Sequence, residues 1–229
     1  MRVELAGGLG IGKSTLCRSL ETIGFNCIYE NLATNPFLDD CFKNPRDFRF
    51  PSQMWFTLSK YHEIKKYERS DLINVLDQAV LNVRAYTRLL FRQEDAEALG
   101  ILNQCFDYLE GKLGRPDLLV HLKCSPHAQL RRIRGRNRDH EKAVSISYVD
   151  ELQREIAMLV TQAQLEGTPV LTIDTEEVYL PDNLPYAEEL ARRIAGLVYQ
   201  PNQTIGRRRI VASNDKSALR QYVEMADAI

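Results

Sequence analysis

The chain of 229 residues has almost no net charge: 30 Lys and Arg against 31 Asp and Glu leave −1. That argues against a dedicated nucleic-acid or membrane-surface binder, because each needs a field of one sign. No apolar run approaches the ~18 residues that a membrane span requires. The five cysteines, Cys17, Cys27, Cys41, Cys105 and Cys124, are odd in number and scattered, with no CxxC pair. Neither a disulfide framework nor a zinc site is expected from them, and reduced thiols fit better. The four histidines, His62, His121, His127 and His140, lack ligand spacing to one another. There is no internal repeat and no low-complexity segment. Met1 leads directly into an apolar strand rather than a signal peptide, so the expected location is cytoplasmic. What remains is an ordinary globular composition, 44% apolar and 27% charged, long enough for one sizeable core.

Apolar strands alternate with helical patterns along the chain. "RVELA" (2–6), "FNCIYE" (25–30), "LINVLD" (72–77), "DLLVHLKC" (117–124) and "PVLTID" (169–174) read as five strands. Helices are expected at 13–23, 35–42, 51–67 with Pro51 and Ser52 at its start, two within 78–112, from Pro126 into a basic stretch, at 146–165 and at 184–199. Strands separated by helices imply a parallel sheet covered on both faces. From about residue 201 the periodicity ends, and "PNQTIGRRRIVASND" reads as a tail with a short helix over 216–225. The expected organisation is one domain over 1–200 and a tail over 201–229.

The first strand runs into Gly7-Gly8-Leu9-Gly10-Ile11-Gly12-Lys13-Ser14-Thr15. This matches G-x-x-x-x-G-K-[ST] between a strand and a helix, the setting in which that motif binds nucleotide phosphates. Gly7, Gly8, Gly10 and Gly12 let backbone N–H groups turn toward an anion, and the helix N-terminus adds partial positive charge. Lys13 reaches β- and γ-phosphates, and the Ser14 hydroxyl suits Mg²⁺. The motif implies a nucleoside triphosphate without naming the phosphate acceptor.

Three features bear on the acceptor. Glu30 ends the second strand, at the sheet edge where ligands bind in such folds, and a carboxylate there suits proton abstraction from a hydroxyl. Gln53 lies beside Trp55 and Phe56 near the start of a helix, an amide with aromatic faces that suits a nucleobase. "LRRIRGRNRDHEK" (130–142) carries Arg131, Arg132, Arg134, Arg136 and Arg138, too many like charges for a helix end unless anions neutralise them. A lid closing on a transferring phosphate needs such arginines.

Taken together, these segments resemble the deoxyribonucleoside kinase family, and most closely its bacterial deoxyadenosine/deoxyguanosine kinase branch. The resemblance rests on the phosphate loop, "YEN" (29–31), "NPFL" (35–38), "FKNPRDFRFPSQMWF" (42–56), and the lid pattern Arg132-Ile133-x-x-Arg136-x-Arg138-x-x-Glu141, and it covers residues 1–199. It implies a P-loop kinase fold, a five-stranded parallel sheet in the order 2-3-1-4-5 with an Arg-rich lid. It implies ATP and Mg²⁺ as cofactors, a small-molecule nucleoside as substrate, and a homodimer through helices at 51–67 and 78–91. It assigns Glu30 as general base on the 5′-hydroxyl and Gln53 to the base edge. Lys13 and Ser14 hold ATP and Mg²⁺, and Asp77 supports the metal through water. Arg132, Arg136 and Arg138 serve the phosphates, Glu141 the sugar, and Asp174 lies near the adenine.

The chain departs from the family on the acceptor side. Where the family has D/E-R-S, the chain has Asp77-Gln78-Ala79, and a neutral amide replaces a cation expected near the transferring phosphate. Lys60 or Arg134 is a candidate to compensate. Phe42 stands where a tyrosine often faces the sugar 3′-hydroxyl, and Val83 where several members have a base-facing carboxylate. Three readings follow: an ATP-dependent deoxynucleoside 5′-kinase; a weak or inactive relative serving as a nucleotide-binding subunit of an assembly, as in an accessory subunit of respiratory complex I; and a nucleoside monophosphate kinase, which Glu30 and the double "NP" fit less well.

Overall fold

In the computed structural model, residues 1–138, 141–178 and 183–199 are described. Asp139 and His140 of the lid pattern, residue 200, and the tail with its expected helix at 216–225 lie outside them.

Five strands form one parallel sheet: β1 (Arg2–Ala6), β2 (Asn26–Ile28), β3 (Asn74–Leu76), β4 (Leu118–Lys123) and β5 (Val170–Asp174), in the order β2-β3-β1-β4-β5. This is the sheet and strand order that the resemblance implies. Ile28 pairs with Leu76, and Leu76 with Glu4, so β2, β3 and β1 end side by side. The helices are α1 (Lys13–Glu21), α2 (Leu38–Lys43), α3 (Pro45–Tyr67), α4 (Val80–Phe91), α5 (Ala96–Leu113), α6 (Pro126–Gly135), α7 (Ile146–Leu165) and α8 (Leu184–Tyr199).

Alternation along the strands explains the two faces. Val3, Leu5, Val120, Leu122, Leu171 and Ile173 pack with Leu16 and Leu20 of α1 and Leu190 and Ile194 of α8. Ala6 and Leu119 pack on the opposite face, with Ala79 and Ala85 and with Leu152, Ile156 and Val160 of α7. Polar side chains are buried here too, Glu4 among them. Glu4 is 2% exposed; it pairs with Arg2 at 2.9 Å and accepts the Val80 N–H at 2.9 Å. The helix N-terminus of α4, which has no side-chain cap of its own, thereby gains an anion at its positive end.

Two helix starts differ from the sequence reading. α3 begins at Pro45, not Pro51. Asn44 precedes it, its side chain donates to Asp47 at 2.7 Å, and its carbonyl takes the first helical bond from Phe48. Proline suits the first helical position, so Pro45 starts the helix and Pro51 is tolerated inside it at the loss of one backbone bond. α2 begins at Leu38, not residue 35. Asn35 is buried; its Oδ1 accepts the Phe37 N–H at 2.9 Å and its Nδ2 donates to Ser52 Oγ at 3.0 Å. The Asn35–Pro36 pair is therefore a turn anchored to α3, and not a first helical turn.

Candidate functional site

The glycine-rich loop joins β1 to α1. Gly7, Gly10 and Gly12 all take positive φ, at +149°, +76° and +112°, where L side chains are strained. At Gly10 a Cβ would also lie 2.7 Å from Ile133 Cγ1 of α6, so close packing of the loop on that helix needs glycine as well. α1 opens at Lys13, with Ser14 and Thr15 in its first turn; the helix N-terminus thus faces the loop's concavity, a ready-made anion site. Lys13 is buried and donates to the carbonyls of Gly7 at 2.9 Å and Gly8 at 2.8 Å. Burial lowers its pKa, against the pull of Asp77 and Glu30.

The neighbouring strand ends bring the carboxylates to this loop. Asp77 follows β3 directly, and its N–H bonds the Ile28 carbonyl at 3.0 Å. Its Oδ2 accepts the Ser14 hydroxyl at 2.8 Å. Its Oδ1 is buried and has no hydrogen-bond partner among the described residues. An orphaned carboxylate oxygen beside a serine hydroxyl is a hard-oxygen pair that fits Mg²⁺, which keeps most of its shell for water and phosphate. No cluster of three or more His, Cys, Asp or Glu side chains suited to a metal occurs among the described residues.

Glu30 lies two residues past β2. Its Oε1 accepts from Gln78 Nε2 at 3.1 Å. Burial raises its pKa, and the charges of Lys60 and Lys13 oppose the rise. Lys60, 3% exposed, pairs with Glu63 at 2.9 Å, so its charge is shared between Glu63 and the field at Glu30. Gln53 is buried and meets the Thr87 hydroxyl of α4 at 3.2 Å. Trp55 is half-buried, edge-to-face with Phe56 at 5.5 Å. Phe42 lies on α2 and is 54% exposed. Val83 is buried in an apolar cluster with Ile64, Leu76, Val80 and Phe106.

The lid arginines follow α6. Arg136 and Arg138 are exposed. Arg138 pairs with Glu141 at 3.3 Å, and the other Glu141 oxygen is buried without a partner among the described residues. Partial desolvation lowers the Arg136 pKa against the pull of Glu141 and Asp77, and its charge in turn helps to lower that of Lys13. Arg132 bridges the loop and the exit of β5, donating to Ile11 O at 3.4 Å, Thr175 Oγ1 at 2.8 Å and Thr175 O at 2.6 Å. Asp174 is exposed there, and its Oδ1 accepts the Glu176 N–H at 2.8 Å.

Lys13, Ser14, Glu30 and Asp77 therefore converge at the carboxyl ends of three adjacent strands. Several participants carried no sequence signal of a role. Asn82 on α4 and Gln129 on α6 are both fully buried and both bond the loop backbone. Gln129 donates to Leu9 O at 2.6 Å and is gripped in turn by Gln153. Tyr86 lies near Glu30 and Glu141, and burial pushes its phenol well up. For Asn82, the one legible hint is a lone amide within "AVLNVRAY".

Among the described residues, no helix is long and apolar enough to cross a membrane. Residues 3–199 match the family model for deoxynucleoside kinase. A deoxyguanosine kinase of Bacillus subtilis (strain 168) is 27% identical over 203 residues, which span 86% of this chain and 97% of that one. A deoxyadenosine kinase of Dictyostelium discoideum is 26% identical over 80% of this chain and 75% of its own length. In fold, the chain is similar to the deoxyadenosine kinase from M. mycoides with bound dCTP: the TM-score is 0.70 at 17% identity, covering 86% of this chain and 100% of that one. With loop, sheet order and family match in agreement, the chain belongs to the deoxynucleoside kinase family, enzymes that phosphorylate nucleosides.

Proposed function

We propose that the chain transfers the γ-phosphoryl group of ATP to the 5′-hydroxyl of a deoxynucleoside. The observation that carries this reading is the convergence of Lys13, the Ser14–Asp77 pair and the half-buried Glu30 on one edge of the sheet. The loop N–H groups, Lys13 and the lid arginines Arg136 and Arg138 take the triphosphate, and Arg132 and Asp174 flank the adenine end. Ser14 and Asp77 hold Mg²⁺, which neutralises phosphate charge when bound. Glu30 accepts the 5′-hydroxyl proton as that oxygen bonds to the γ-phosphorus and the bond to ADP breaks. Its raised pKa makes it a stronger base than a free carboxylate. Gln53, Trp55 and Lys60 receive the nucleoside, with Glu141 and Phe42 toward the sugar. Catalysis is positioning and charge neutralisation.

A non-catalytic subunit has no physical need for Lys13, Ser14, Glu30, Asp77 and Glu141 together, and this retention favours the enzyme. The activity is assigned to residues 1–200, with 201–229 as a tail. A homodimer through α3 and α4 rests on family membership. Five free cysteines suit a reducing, cytoplasmic setting.

The test is ADP release with Mg²⁺ and ATP across the natural nucleosides and deoxynucleosides, with Lys13→Ala as the blank. Turnover on at least one deoxynucleoside is expected. ATP binding with no turnover on any of them would overturn the kinase reading.

A further inference from the structure

We infer that Asn82 is a positioning residue for ATP, which acts by holding the first peptide of the phosphate loop while Lys13 changes partners. The inference rests on the loop being an ATP site, as proposed above. Asn82 is 0% exposed and spends its whole amide on backbone. Its Oδ1 accepts the Gly7 N–H at 3.1 Å, and its Nδ2 donates to Gly7 O at 3.2 Å and to Leu5 O at 3.3 Å. The amide thus reads both the donor and the acceptor of one glycine, and ties the end of β1 to α4.

The second observation concerns Lys13. Its ammonium gives two of its three N–H groups to the carbonyls of Gly7 and Gly8, so a triphosphate that takes more than the third proton draws it off one of them. Gly7 is buried, and a buried carbonyl that loses its donor incurs a desolvation penalty. Gly7 O has two donors, Lys13 Nζ and Asn82 Nδ2. When Lys13 departs, Asn82 keeps that carbonyl paired and keeps the Gly7 peptide from rotating at its positive φ. The exchange then costs little, and the lysine's charge goes to the phosphate. Without the amide, Lys13 is retained by a carbonyl that has no other donor, and ATP must compete with the loop itself. Asn82 touches no reacting atom, so its effect falls on ATP affinity rather than on the chemical step.

The test is calorimetric titration of ATP, ADP, pyrophosphate and adenosine into the full chain without acceptor, followed by steady-state kinetics. Asn82→Leu, with the same branched skeleton, removes all three bonds. Asn82→Ser retains a hydroxyl donor and serves if the leucine variant does not fold. Leu102→Ala, a core truncation in α5, controls for general loss of stability. The expected result is ATP and pyrophosphate binding weakened about tenfold in Asn82→Leu, and less in Asn82→Ser, with adenosine binding unchanged. KM for ATP should rise in parallel, while kcat at saturation and KM for the nucleoside stay within about twofold. Unchanged ATP affinity in the folded variants, or an equal loss in Leu102→Ala, would overturn the inference alone. Failure of the unaltered chain to bind ATP would overturn both it and the function proposed above.

Discussion

The two sides of this site are held by different means. On the donor side, the loop is gripped by buried amides from two helices, by Asn82 at Gly7 and by Gln129 at Leu9, and Lys13 is enclosed by the loop's own carbonyls. On the acceptor side, Glu30 is met by one neutral amide, Gln53 by one hydroxyl, and the buried cation Lys60 is already paired with Glu63. The donor cradle has more polar restraint than its motif demands; the acceptor pocket has less positive charge than its family pattern supplies. The comparison teaches that the phosphate donor is specified locally by a loop and its supports, while the acceptor is specified by single side chains from several helices, each free to change alone.

The largest test of that separation is Glu30→Ala. A missing general base lowers turnover by about 10²–10⁴-fold, while ATP affinity, set by the loop, should stay near that of the unaltered chain. Rates and calorimetric titration on one preparation check both halves at once. Survival of turnover would show that the proton leaves by another route. Loss of ATP binding would show that the two sides are not separable.

Gln78→Arg sharpens the comparison in the opposite direction. It restores a cation beside Glu30, and a gain of about tenfold or more in turnover on a deoxynucleoside is expected, since a cation at a developing phosphate charge is worth that or more. The variant has a second signature in pH. As the proposed base, Glu30 would work deprotonated, and burial has raised its pKa, so kcat/KM for the nucleoside should fall on the acid side at a pH above the ordinary carboxylate range. An adjacent guanidinium favours the carboxylate and lowers that pKa, so the acid limb should move to lower pH in Gln78→Arg. A gain in rate with an unmoved limb would place the new charge on the phosphate rather than on Glu30.

Much of this was legible because it is local. Strand–helix alternation, the glycine loop and the ends of α7 and α8 follow from periodicity and from one-residue signals, and the structure has them where the sequence puts them. α3 was read six residues short because two prolines compete for the first helical position, and the decision lay with Asn44 and its bond to Asp47. Asn35 was read into a helix because its tie to Ser52 spans 17 residues. Asn82 and Gln129 were not legible as supports at all. Nothing near them in sequence says that their amides reach backbone 75 and 120 residues away, and such a pairing is fixed by how α4 and α6 pack on the loop.

The smallest expected effect tests the thinnest restraint on the acceptor side. The Thr87 hydroxyl lies 2.9 Å from Val83 O and 3.2 Å from the Gln53 amide, and it has a single proton for two acceptors. The shorter contact, to the carbonyl one turn back, is the ordinary one for threonine in a helix. With its proton there, the hydroxyl offers Gln53 a lone pair, and this favours turning the amide from its placement with Oε1 toward Thr87 to one with NH₂ toward Thr87 and the oxygen toward the pocket. An oxygen facing the base prefers an amino edge over a keto edge. Thr87→Val removes that bias while nearly preserving shape. The expected outcome is a rise of about fivefold or less in KM for an amino base, a smaller change for its keto counterpart, and an unmoved KM for ATP, the scale of one neutral hydrogen bond. Deoxyadenosine against deoxyinosine is the direct comparison. Equal changes for both bases would mean that Thr87 supports the helix and does not orient the amide. A change in KM for ATP would mean that α4 carries acceptor and donor restraints as one unit, through Thr87 and Asn82 together.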